Sequence, residues 1–316
     1  MAPGKIDTST HEFYVAVVAA FDRLGNKAGV GKELGVGEST IRRALIRAAA
    51  AGVRSRPKAR PEYADGQIIV VAQGDLHDSP NLEDKSRFEW IGRMCADVQP
   101  DYFVDIGDSM TMDSCNSHIP NESIGGKCKP TFLEDITSIH AAWSAFDAEC
   151  PENVIRLKTR GNHEHRLYAF EERTPEVAGM MQFEYERMLT RHGFTETEYG
   201  EVMFIGGVGF VHVPLGETGK PTGGKTAETR IANDLLHDLV FGHSHKRRHH
   251  RAPKIGDNQW VEVLNLGCGL PQGHVEDYAR LSQTGWWHGT NKLTIEHGHI
   301  QSVEAVTMDE LQRRYS

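Results

Sequence analysis

Seven side chains able to ligate a divalent ion fall at or near the ends of five short apolar runs. Asp75 and His77 follow IIVVAQG, Asp108 follows DYFVDIG, Asn162 follows NVIRLKTRG, His212 lies within VMFIGGVGFVHV, and His243 and His245 follow DLVFG. Carboxylate, amide and imidazole are hard-to-borderline donors that suit Mn²⁺, Fe, Zn²⁺ or Ni²⁺, and seven are too many for one tetrahedral ion. Two divalent ions are therefore implied, with Mn²⁺ the leading expectation. Thiolates are absent from the set, which argues against a structural zinc site. The five cysteines, Cys95, Cys115, Cys128, Cys150 and Cys268, are too scattered for a CxxC motif or a disulfide framework and are expected as reduced thiols.

The runs that carry these donors read as strands. IIVVAQ is continuous, β-branched and short, as a buried strand should be, and side chains two apart on a strand share a face, so Asp75 and His77 are expected to reach one ion from its end. A helix is expected from Leu82 to Val98. Strands over DYFVDIGD and NVIRLKTR, one carrying His212 and one ending at DLVF follow. Five strands then deliver their donors to one place above a sheet edge. The polar segment Ser109 to Thr131 reads either as a substrate loop or as a disordered insertion, and KLTIEHGHIQSVEAVTM alternates enough to finish a sheet.

Taken in order, GDLH, GD, GNHE, His and GHSH, spanning Asp75 to His245, resemble the calcineurin-like metallophosphoesterase superfamily, with similarity to the small members met in bacteriophage genomes. The resemblance implies an α/β fold of two mixed β-sheets packed face to face with flanking helices. It implies one ion held by Asp75, His77 and His245, a second held by Asn162, His212 and His243, and Asp108 bridging both. His163 would act beside the leaving group as general acid, and Asp108 and His163 are the catalytic pair. The activity implied is hydrolysis of a phosphoester with the aid of two metals. The string Arg160 to Glu164 also resembles Ser/Thr protein phosphatases. Those continue as GDxHG and GDxxDRG, whereas here the motifs read GDLHD and GDSMTMD, so the arginine expected to bind phosphate is missing from them.

The N-terminal region has a different character. Residues 1–60 carry eleven Lys/Arg against five Asp/Glu, while the rest of this chain of net charge −9 is acidic. Phe13, Val17, Phe21 and Leu24 recur at helical spacing behind Ser9/Thr10, Lys27 to Leu34 forms a second helix, and a third begins after Gly37. There Ile41, Leu45 and Ala48 face inward and Ser39, Arg42, Arg43 and Arg47 outward. KELGVGESTIRRALIRA resembles the helix-turn-helix units of small DNA-binding proteins, and its basic face implies a nucleic-acid partner. The organisation expected is a helix-turn-helix at 1–53, a basic linker at 54–66 and a catalytic domain at 67–316.

Other basic residues are candidates for substrate binding. Gly219 to Thr226 matches GxxxxGK[ST] and offers Lys220 and Lys225. The surrounding phosphoesterase-like order argues against an independent ATP site, so phosphate contact is the smaller claim retained. Lys246, Arg247 and Arg248 directly follow GHSH, where they would attract a phosphate backbone or form a solvated hairpin. Trp260, Trp286 and Trp287 could stack bases or pack in a core. Composition excludes a disulfide miniprotein and a disordered chain, and the lack of a membrane span or secretory segment leads to an expected cytoplasmic location. The function expected is phosphodiester hydrolysis in nucleic acid. A phosphomonoesterase or nucleotide phosphodiesterase with an N-terminal assembly module is the alternative, and a DNA-binding regulator with an inactive domain is a third reading.

Overall fold

Residues 7–24, 27–50, 66–255, 259–276, 279 and 285–316 are described in a computed structural model, in which the chain divides into two compact units near residue 60. Of the linker expected over 54–66, only Gly66 falls among the described residues. The first unit contains α1 (His11–Leu24), α2 (Lys27–Leu34) and α3 (Glu38–Ala50). The Thr10 hydroxyl accepts the Phe13 N–H at 3.1 Å and so caps α1, as Ser, Thr, Asp and Asn commonly do. Phe13, Val17, Ala20, Val30, Ile41 and Ala44 form the core of this unit. That packing fixes the rotation of α3 and leaves Ser39, Arg42, Arg43 and Arg47 exposed.

The second unit begins with β1 (Ile68–Gln73), α4 (Ser86–Val98), β2 (Tyr102–Asp105), α5 (Ile124–Lys127), α6 (Phe132–Asp147), β3 (Ile155–Thr159) and α7 (Asn162–Arg173). It continues with α8 (Met180–Arg191), β4 (Phe194–Thr197), β5 (Met203–Ile205), β6 (Val208–Val211), α9 (Ala227–Asp234) and β7 (Leu239–Phe241). It closes with β8 (Arg247–Pro253), β9 (Trp260–Leu266), β10 (Gly289–Glu296), β11 (His299–Thr307) and, up to Arg313, α10 (Met308–Tyr315). One mixed sheet has the order β11-β10-β1-β2-β3-β4 and the other β5-β6-β7-β9-β8.

The two sheets pack face to face, as expected. Val70, Ala72, Val104 and Ile106 from one side meet Val208, Phe210, Val240, Leu264 and Leu266 from the other. The alternate residues of β2 point away. Phe103 there joins Phe88, Trp143, Phe146 and Phe194 in an aromatic cluster under α4 and α6. On the far side of the second sheet, Ala227, Ile231 and Ala232 of α9 cover Leu239, Phe241 and Val263. Burying each large side chain of this kind contributes about 1.5–3 kcal/mol. Among the described residues no helix is long and apolar enough to cross a membrane.

Strands β1 to β4 run parallel, as do β6, β7 and β9, so the donor loops leave equivalent ends. Three local expectations are corrected. Helix α4 begins at Ser86, not Leu82, and His212 stands just past β6 rather than on it. Asp75 and His77 are not alternate residues of a strand either. Strand β1 stops at Gln73, and the loops after β1 and β2 then zip to one another. Asp75 N–H donates to Gly107 O at 2.9 Å, His77 N–H to Asp108 O at 2.9 Å and Asp78 N–H to Ser109 O at 2.8 Å.

Nor is Ser109 to Thr131 a structureless insertion. Ser109 to Met112 is buried, Ser123 caps α5, and Thr131 with Glu134 forms a capping box on α6. Lys129 Nζ donates to Asn116 O, Ile119 O and Asn121 Oδ1 at 2.6–3.0 Å, which ties the segment together.

Beneath these loops lies a fully buried charge group. Lys158 Nζ donates to Asp105 Oδ2 at 2.6 Å and to Glu164 Oε1 at 3.1 Å. Removing one partner of such a group leaves the others uncompensated. Lys158→Met is therefore expected to lower unfolding free energy by about 3–5 kcal/mol in urea titrations, and a loss below about 1 kcal/mol would contradict the role given to this group.

Candidate metal centre

The loops after β1, β2, β3, β6 and β7 bring the seven expected donors together. His77 Nε2 and His245 Nε2 face each other at 3.0 Å, and Asp75 Oδ1 lies 3.2 Å from His245 Nε2 and 3.9 Å from His77 Nε2. In a second group Asn162 Oδ1 is 3.1 Å from His212 Nε2 and 2.7 Å from His243 Nδ1. Asp108 Oδ2 stands 3.1 Å from His212 Nε2 and 3.9 Å from His77 Nε2, and thus touches both groups. Ions bonded to N and O donors at about 2.0–2.2 Å place adjacent donors about 3 Å apart. The spacing of both groups matches such a polyhedron, and two Nε2 atoms facing each other have more lone pair than proton to share. The donor set therefore fits divalent cations.

Most of this set is buried, whereas His243 is exposed and Asn162 half-buried, so access is from their side. Burial holds His77 well below its ordinary pKa, and His163 and His245 push in the same direction. Burial likewise lowers His163 and His243. For His77 and His243 this favours the neutral ring, the form that ligates. The Asp108–His212 pair behaves differently. Burial opposes the charge on both, yet Asp108 pushes His212 up to about 9, and His212 and His163 hold Asp108 well below the carboxylate range. A proton on His212 and a cation would thus compete for the same carboxylate.

Orientation comes from the backbone around the donors. Asp75, His77, Asp108, His243 and His245 all have φ between 44° and 70°, the left-handed region that non-glycine residues enter at a cost of about 1–3 kcal/mol each. His212 Nδ1 donates to Ile106 O at 3.0 Å, which turns Nε2 toward Asp108; such outer contacts fix a ligand's tautomer. The His243 N–H donates to both Asp75 oxygens at 3.0–3.1 Å. Gly242 and Gly161 permit close approach: a Cβ on Gly242 would lie 2.5 Å from Asp75 Oδ2, and one on Gly161 would lie 2.1 Å from Asp108 Oδ1.

His163 stands within this group as well, and with His77 and Asp108 it forms a set of side chains close enough to hold an ion. Its Nδ1 donates to Thr111 O at 2.9 Å and its Nε2 lies 3.9 Å from Asp108 Oδ2. Sequence reasoning assigned Glu164 nothing beyond its place in GNHE. Its carboxylate in fact accepts the backbone N–H groups of Asp108, Ser109 and Gly161 at 2.8–3.0 Å, together with the Ser109 hydroxyl and Lys158. Arg166 was also missed. Its i,i+3 spacing from His163 on α7 was the available signal, because such residues share a helix face.

The remaining candidates lie elsewhere or are engaged. Arg247 Nε donates to Asn291 Oδ1 at 3.0 Å and Arg248 Nη1 to Lys225 O at 2.6 Å. Both belong to β8, which forms an antiparallel hairpin with β9, and Lys246 is half-buried just before it. Lys220 and Lys225 are exposed in the glycine-rich segment leading to α9. Trp286 packs edge-on against His245 with ring centroids 4.2 Å apart. Arg247 and Arg251 lie over Trp287 and Trp260 at 5.4 and 4.0 Å. All five cysteines are free, and only Cys128 is exposed.

Neither a scan against protein-family models nor a search of curated proteins finds a match. Solved structures do align with the chain. A conserved uncharacterized protein from Streptococcus pneumoniae TIGR4, a predicted phosphoesterase, has a TM-score of 0.35 at 12% identity over 78% of this chain and 93% of its own. Yfce, a phosphoesterase from E. coli, has a TM-score of 0.36 at 14% identity over 75% and 99%. Vps29 from Entamoeba histolytica, complexed with Zn²⁺, has a TM-score of 0.30 at 15% identity over 75% and 97%.

Because His212 keeps its proton up to about 9, cation binding at neutral pH must release one. Affinity for Mn²⁺ is expected to rise about tenfold per pH unit between pH 7 and 9, with proton release seen by calorimetry in buffers of different ionisation enthalpy. Mn²⁺ at a hundred times its Kd should also stabilise the fold by about 2.7 kcal/mol, and Asp75→Asn should reduce that gain. Affinity independent of pH, without proton release, would contradict this reading of the Asp108–His212 pair.

Proposed function

We propose that the chain is a calcineurin-like metallophosphoesterase that uses two divalent ions to hydrolyse phosphodiester bonds in nucleic acid. The observation that carries this reading is the position of Asp108 Oδ2 between two donor groups, 3.1 Å from His212 Nε2 and 3.9 Å from His77 Nε2. In it, Asp75, His77 and His245 hold one ion, Asn162, His212 and His243 the other, and Asp108 both. Mn²⁺ is the ion we favour. When bound, such a pair lowers the pKa of water and neutralises charge on the phosphoryl oxygens.

The protein's own groups supply the rest. Glu164 gathers the Asp108, Ser109 and Gly161 amides, so the Asp108 carboxylate is held in place before substrate arrives and little reorganisation is needed. Thr111 O holds the His163 ring through Nδ1, so that Nε2 faces the site and, in the protonated ring, would give its proton to the leaving oxygen. A leaving alkoxide needs that proton, and general acids of this kind contribute typically about 10²–10⁴-fold.

Nucleic acid as substrate rests on charge. Ser39, Arg42, Arg43 and Arg47 form an exposed face on α3, consistent with a helix-turn-helix that enters a groove with cations flanking it for phosphate. Lys246 follows directly on His245, so a further cation adjoins the ligands. Lys220 and Lys225, exposed in the glycine-rich segment, are the further phosphate contacts in this reading.

Mn²⁺-loaded protein offered bis-p-nitrophenyl phosphate, p-nitrophenyl phosphate and labelled single- and double-stranded DNA should cleave the diester and the DNA. A preference for the monoester with intact DNA would favour the phosphomonoesterase instead, and inactivity on all substrates would favour a regulator with an inactive domain. His163→Ala should keep its metal yet lose about 10²–10⁴-fold in turnover on substrates with poor leaving groups; unchanged turnover would remove its role. Replacing Arg42, Arg43 and Arg47 together by Ala should weaken DNA binding and reduce the salt slope by about 0.9 for each phosphate that is no longer neutralised. Unaltered binding would leave the basic face without a nucleic-acid role.

A further inference from the structure

Arg166 on α7 stands three positions after His163 and meets the same ring. Arg166 Nη2 donates to His163 Nε2 at 3.2 Å and Arg166 Nη1 donates to Thr111 O at 2.8 Å. The same Thr111 carbonyl accepts His163 Nδ1 at 2.9 Å, so one backbone oxygen sets both side chains. Nε2 of His163 lies 3.9 Å from Asp108 Oδ2, beside the leaving group in the two-metal reading. Asp113 Oδ1, 3.7 Å from Arg166 Nη1, leaves the guanidinium only partly compensated. Guanidinium presents five donors in a planar fork that matches phosphate oxygens, and His163 and Thr111 engage only two of its nitrogens.

We propose that Arg166 is a substrate-binding residue whose guanidinium receives a non-bridging phosphoryl oxygen beside His163. This rests on the two-metal phosphoesterase reading and adds a phosphate-binding arginine to it. Substrate binding exchanges the Arg166 contact with His163 Nε2 for one to the phosphoryl oxygen and frees Nε2 to take up a proton from solvent and pass it to the leaving group. Arg166 therefore acts both in holding phosphate and in clearing His163.

Inorganic phosphate is the probe, with its binding to Mn²⁺-loaded full-length protein measured by calorimetry and its inhibition of diester hydrolysis measured in parallel. Arg166→Met should bind phosphate ten- to hundredfold more weakly at unchanged metal content, since hydrogen bonds to charged groups are among the strong ones. Arg166→Lys, which keeps the charge but loses the fork, should fall between Arg166→Met and the unaltered protein. It also keeps the test open if the methionine variant misfolds. For Arg166→Ala, the KM for diester should rise more than kcat falls, and added guanidinium chloride should restore part of the activity. If the unaltered protein binds phosphate and both Arg166→Met and Arg166→Lys bind it equally well, Arg166 only braces Thr111 and the inference is overturned. If the unaltered protein binds neither Mn²⁺ nor phosphate, the two-metal reading fails and the inference goes with it.

Discussion

A buried carboxylate surrounded by imidazoles sets the terms for the rest of this structure. Asp108 lies 3.1 Å from His212 Nε2 and 3.9 Å from the Nε2 atoms of both His77 and His163, and Asp75 is equally buried beside His77 and His245. Charges gathered in so little water are tolerated only when compensated. A proton shared between Asp108 and His212 is one compensation, and divalent cations are a stronger one. The folding of the surrounding loops, the choice of neutral rings and the entry from the His243 side are all consistent with that demand.

Holding such a group requires rigid backbone, which comes from loop–loop pairing rather than from strands. The segments after β1 and β2 bond to each other through Asp75, His77 and Asp78, and five of the donor residues sit in left-handed turns. Strain of that kind persists only where surrounding structure over-determines it. Glu164 supplies much of that determination by collecting three backbone amides, and Lys158 in turn neutralises Glu164 and Asp105. The chemistry proposed at Asp108 and His163 thus depends on an ion pair that never meets solvent.

The sequence made part of this legible. A β-branched run announced β1, alternation near the C-terminus announced strands that finish a sheet, as β10 and β11 do, and donor types near strand ends singled out the seven side chains that the loops bring together. What the sequence hid has physical causes. Asp75 and His77 were assigned to one strand face because a period of two is the simplest reading of D-x-H, whereas cross-loop hydrogen bonds overrode it. Lys158 reads as an ordinary alternating residue of β3, and its partner Asp105 is 53 positions away; nothing local distinguishes a buried lysine from an exposed one. Arg166 stood at a helical interval from His163, but only the shared Thr111 carbonyl gives that interval meaning. In the N-terminal unit the inward and outward faces of α3 were readable because three helices bury a single apolar stripe.

The central claim is that Asp108 is shared by two cations. Anomalous diffraction from crystals grown with Mn²⁺ tests it most directly. The account predicts two peaks, one among Asp75, His77 and His245 and one among Asn162, His212 and His243, each within bonding distance of an Asp108 oxygen. No peak in the pocket, or a single one that leaves Asp108 still paired with His212, would contradict it.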